Sequence, residues 1–163
     1  YGLDAVIPVE RTDIGNIAMS AVQFEPELFR CMAFKGAEII CRVATGGFDA
    51  IVINLGVNDT LAGYVTQDPA FHMGRILDAA GTTPVLWLNQ AETLPNHEVA
   101  AVAYNASLRT AADQYPNLTI VDWGAVLDQH HEYLDPDNLH LNPRGQSIFA
   151  QLASDAIDAE LGP

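Results

Sequence analysis

Three short, nearly unbroken apolar runs constrain this chain most: residues 49–56, 84–89 and 118–123. Their length suits strands. Their lack of polar alternation suits strands covered on both faces, as in a parallel sheet. Stretches with helical spacing separate them. Residues 69–80 read as a helix stopped by Gly81, and residues 96–114 as a long, Ala-rich helix. Residues 143–160 read as the last helix, with Asn142 as N-cap ahead of Pro143 in the first turn. Upstream, residues 14–20 read as a strand end and residues 26–44 as a helix stopped at Gly46-Gly47. This alternation predicts an α/β fold: three layers, α/β/α, around an open, mostly parallel sheet. With 163 residues and no repeat, low-complexity tract or linker, one domain over 1–163 is the simplest account.

Charge narrows the partners. Asp and Glu number 21 against 7 Lys and Arg, a formal charge of -14, and Lys35 is the lone lysine. Such a surface repels phosphate backbones and anionic bilayers, so no nucleic acid and no membrane is expected as partner. No apolar run reaches a membrane-spanning length, and no secretory leader pattern opens the sequence. Cys31 and Cys41 lack metal-type spacing. On one straight helix they would stand about 15 Å apart, beyond disulfide reach, whereas a break at Gly36 would bring them together. Two buried thiols are the simpler expectation.

Sheets of this kind bind ligands beyond the C-terminal ends of their strands, so polar residues there draw attention. Gly56-Val57-Asn58-Asp59 comes after the first apolar run, Asn89-Gln90 after the second, and Asp122-Trp123 ends the third. Gly56 allows close approach to the backbone and adds an amide donor. The Asn58 side-chain amide can donate to an oxyanion, although Asn-Asp also opens turns and caps helices. Near the C-terminus stands Asp137-Asn138-Leu139-His140, just before the last helix. An Asp three residues before a His can reach its ring within one tight turn. It would then fix the tautomer of a general base, though by itself the pair better suits a plain loop turn. His72, His97 and the His130-His131 pair have no such frame and read as structural. Trp87 and Trp123 read as packing residues, and Tyr133 as the better sugar-contact candidate. The glycosylation-type tripeptides at Asn58, Asn105 and Asn117 are common by chance and carry no weight.

Taken together and in this order, Gly56-Val57-Asn58-Asp59 and Asp137-Asn138-Leu139-His140 resemble the third and fifth blocks of the SGNH/GDSL hydrolase superfamily. The stretch 141–146 is similar to the family's segment after its His, and 116–123 resembles a strand of cell-wall acyltransferase domains. The resemblance implies an esterase or acyltransferase in which Asp137 and His140 complete a Ser-His-Asp triad and Asn58 joins the oxyanion hole. It implies a second-block main-chain N–H at Ser20, with Gly15 the alternative, and no metal or cofactor. It also implies an acylated glycan or small ester as substrate; localisation stays open, with a secreted or cell-envelope setting favoured. The family's Gly-Asp-Ser block is missing from these residues, and so is a first strand. Tyr1 to Ala5 resembles the family's residues just after the nucleophile. A serine outside these 163 residues, or on a companion chain, is therefore expected; Ser20 is the internal substitute, and Ser107, Ser147 and Ser154 read as ordinary helix residues. A catalytically inactive module of the same fold is the alternative. A flavodoxin-like binding domain is weaker, since no Gly-rich phosphate loop supports it.

Overall fold

The computed structural model describes residues 49–57, 60 and 69–162. The strand and helix expected at 14–20 and 26–44 lie outside these residues, as do Ser20, Asn58, Cys31 and Cys41. Within them the order is β1 (Ile51–Ile53), α1 (Pro69–Ala80), β2 (Val85–Leu88), α2 (Glu98–Gln114), β3 (Leu118–Val121), α3 (Trp123–Gln129), a 3₁₀ turn (His131–Tyr133) and α4 (Pro143–Leu161).

The three apolar runs form one open parallel sheet in the order β1-β2-β3. Ile51 lies opposite Val85, and Val85 opposite Leu118. β2 is central, and all four of its residues are buried. Strand alternation sends successive side chains to opposite faces. Ile51, Ile53, Val85, Trp87 and Leu118 pack with Met73, Ile76 and Leu77 of α1 and Tyr104 and Leu108 of α2. Leu86, Leu88 and Val121 pack with Trp123 and Leu127 of α3 and Phe149 and Ile157 of α4. Helices thus cover both faces, and the expected α/β/α layering is present over the described residues. Each fully buried aliphatic side chain here contributes roughly 1.5–3 kcal/mol.

Helix ends obey local chemistry. α1 stops at Gly81, whose φ of 62° suits the left-handed position after a helix. Asn142 caps α4: its side-chain oxygen accepts from the Arg144 and Gly145 amides, both at 3.0 Å. Such a cap contributes about 1 kcal/mol. One expectation needs correction. Trp123 does not end a strand; it opens α3. Asp122 accepts from the Ala125 amide at 3.2 Å, so the chain turns helical at once. Trp123 then meets Phe149 edge-on, with ring centroids 5.1 Å apart.

Candidate active site

The loop from Leu134 to Asn142 is closed on itself. Leu134 and Leu141 form an isolated antiparallel bridge. The Asp135 amide donates to the His140 carbonyl at 2.7 Å, and the Asn138 amide to the Asp135 carbonyl at 2.9 Å. Asn138 takes a left-handed φ of 56°, a conformation Asn tolerates. Inside this turn Asp137 Oδ1 accepts from the Leu139 and His140 amides at 2.9 and 3.0 Å. Its other oxygen, Oδ2, meets His140 Nδ1 at 2.6 Å. Both side chains are roughly half exposed, His140 at 44% and Asp137 at 49%.

The hydrogen bond to His140, reinforced by the two backbone amides, holds the Asp137 carboxyl down at about 2, against an ordinary 3.8. A carboxylate so fixed makes Nδ1 the protonated nitrogen and leaves Nε2 as the basic one. The turn is anchored to the fold by Asn142. Its side-chain NH2 donates to the Glu132 and Leu134 carbonyls at 2.8 and 3.1 Å while its oxygen caps α4. The first turn of α4 also lies tight on the 3₁₀ turn: a Cβ on Gly145 would overlap the Tyr133 carbonyl oxygen.

Tyr133 does not form an exposed platform. It is 6% exposed, its ring stacked on His130 at 4.9 Å and covered by the Arg144 guanidinium at 5.1 Å. Trp87 and Trp123 are buried, as their packing reading requires. His72 and His97 are buried too, and burial lowers the pKa of His97 despite the opposing charge of Glu98. The Ser107 and Ser147 hydroxyls donate to the carbonyls of Ala103 and Pro143, four residues earlier, as helix-bound serines commonly do. Asn105 is buried and bonded on both polar atoms, which removes it as a glycan acceptor.

At the other strand ends the structure shows features that spacing alone did not. Gly56 has φ +109°, and the space where its Cβ would sit is filled by the Tyr104 ring. The side of this backbone that Gly56 leaves open, expected to admit a substrate, is occupied by the Tyr104 ring. The Tyr104 hydroxyl donates to the Leu55 carbonyl at 2.6 Å and accepts from Trp87 Nε1 at 3.0 Å. Gln90 Nε2 donates to the same carbonyl at 3.1 Å. Asn105 pairs with both main-chain groups of Gln90, accepting from N at 2.9 Å and donating to O at 2.8 Å. Asn89 spans from β2 to β3: its amide donates to Asp122 Oδ1 at 2.8 Å, and its oxygen accepts from the Gly124 amide at 2.6 Å. The sequence signal for these ties is a polar Asn105 within the buried stripe Ala101, Tyr104, Leu108 of α2.

The GDSL-like lipase/acylhydrolase family model matches residues 12–148. The chain belongs to this family. The matched range takes in all three described strands and the Asp137–His140 turn. A relative in Bacillus subtilis (strain 168), "Putative peptidoglycan O-acetyltransferase YrhL", is 31% identical over 108 residues. That stretch is 66% of the present chain and 15% of the relative, so the chain spans a small part of that protein's length. Among the described residues no group of three His, Cys, Asp or Glu side chains is placed to hold a metal ion. No described helix is long and apolar enough to cross a membrane.

Proposed function

We propose that residues 1–163 form one SGNH-type domain that supplies the base and oxyanion side of a serine-dependent esterase or acyl transferase. The observation that carries this reading is the 2.6 Å contact between Asp137 Oδ2 and His140 Nδ1, inside a turn clamped by two backbone amides and the α4 cap. In this reading His140 Nε2 takes the proton of a serine hydroxyl as it attacks the ester carbonyl. It then returns the proton to the leaving alcohol. Asp137 holds the ring and stabilises the imidazolium. Asn58 and the main-chain amides of Gly56 and Ser20 bind the oxyanion. Because no Gly-Asp-Ser occurs in these residues, the nucleophile comes from a segment outside them or from a companion chain.

The substrate class is an acylated carbohydrate or a small ester, supported by the family and by the name of the Bacillus relative. Transfer of an acetyl group to or from a glycan fits both. The test is labelling of the full-length protein with a fluorophosphonate, alongside assay of His140→Ala on an aryl acetate. The expected result is one labelled serine and loss of turnover in the variant with its thermal melt kept. Absent labelling would favour a non-catalytic binding module of the same fold, and an active His140→Ala would reject the assigned base.

A further inference from the structure

The backbone leaving β1 is held from one side by two side-chain donors. The Leu55 carbonyl accepts from two side chains, Tyr104 Oη at 2.6 Å and Gln90 Nε2 at 3.1 Å. Both donors are themselves fixed. Tyr104 is 1% exposed, its ring fills the place of a Gly56 Cβ, and its hydroxyl is held by Trp87. The Gln90 main chain is gripped by Asn105, the next residue along α2. The peptide that joins Leu55 to Gly56 is planar and trans, so holding its carbonyl also fixes the direction of the Gly56 N–H. Beyond it the Thr60 amide donates to the Gly56 carbonyl at 3.0 Å and the Thr60 hydroxyl to the Val57 carbonyl at 2.8 Å.

We propose that Tyr104 is a positioning residue for acyl transfer: through the Leu55 carbonyl, and with Gln90 as second donor, it sets the Gly56 main-chain amide for the oxyanion. This rests on the acyl-transfer reading above. Neither side chain touches substrate. The helix that carries Tyr104 and Asn105 aligns the exits of β1 and β2 at once, so the amide keeps its aim without reorganising as charge develops. A packing role alone needs the Tyr104 ring but not its hydroxyl, and it does not need Gln90 to reach the same carbonyl.

The experiment uses the full-length protein and an aryl acetate, with active sites counted by fluorophosphonate titration. Tyr104→Phe removes only the hydroxyl. Its expected effect is a fall in kcat per titrated site of about tenfold or more, with KM within about twofold, since small misplacement of a catalytic group costs rate rather than binding. Gln90→Met removes the second donor, should act in the same direction, and decides the matter if Tyr104→Phe fails to fold. A merely structural role would reduce the yield of titratable enzyme and leave kcat per site unchanged; that outcome overturns the inference. His140→Ala in parallel separates the two levels. If it is inactive while both other variants keep their kcat, this inference alone fails. If it is active, or the wild type does not label, the underlying reading fails and this inference with it.

Discussion

Asp137 shows how much one side chain can be made to do by its own turn. One oxygen closes the turn on two amides, and the other holds His140. These bonds need the carboxylate charged, which is why its pKa falls to about 2. A depressed carboxyl pKa means the interaction is in place above the ordinary 3.8 and is lost as the pH falls through about 2. Carbon NMR titration of the Asp137 carboxyl should therefore give a midpoint near 2, and a midpoint near 3.8 would mean that the dyad does not form in solution. Asp137→Asn keeps the shape of the side chain but favours the wrong His140 tautomer. In the full-length enzyme it should lower kcat strongly, up to on the order of 10⁴-fold, with little change in KM.

Among the elements, α4 and the 3₁₀ turn decide where the dyad stands. Asn142 ties them with four hydrogen bonds, two accepted by its oxygen and two donated by its amide. Gly145 lets them touch, because any Cβ there meets the Tyr133 carbonyl. Gly145→Ala therefore sets two effects against each other. Helix propensity favours Ala by roughly 1 kcal/mol. Overlap with a backbone oxygen costs about 1–3 kcal/mol, since the carbonyl cannot swing aside as a side-chain tip could. The overlap should win. The denaturant midpoint should fall, and activity with it as the His140 turn shifts; a rise in the midpoint would show that α4 moves freely off the 3₁₀ turn.

Across the whole molecule the net charge of -14 works against compaction. With 21 acidic residues against 7 basic ones, most surface carboxylates have no cation to pair with. Raising salt from about 0.01 M to about 0.15 M shortens the screening length from roughly 30 Å to roughly 8 Å. Self-repulsion should weaken, and Tm should rise by about 2–4 °C for each kcal/mol recovered. Differential scanning calorimetry across that range checks this. A flat or falling Tm would mean that local pairs such as Arg109 with Glu92, 3.9 Å apart, outweigh the long-range field.

Local features were legible because their physics is local. The apolar runs had to become strands covered on both faces, and Asn142-Pro143 had to open a helix. A carboxylate three residues before a histidine needed only one turn to reach its ring. The start of α3 at Trp123 was missed, since Asp122 as strand end and Asp122 as helix cap look alike in a short window. The cross-ties depended on tertiary structure alone. Tyr104 meets Leu55 49 residues away, Asn89 meets Asp122 at 33, and Asn105 meets Gln90 at 15. No spacing rule links such partners; the parallel sheet brings its strand ends side by side, and only then does a buried polar residue on α2 find its partner. Sequence by itself thus determined the three described strands, the helices α1, α2 and α4, and the Asp137–His140 pair. The fold decided how the strand ends are locked together, because that locking is made by side chains far apart in the chain.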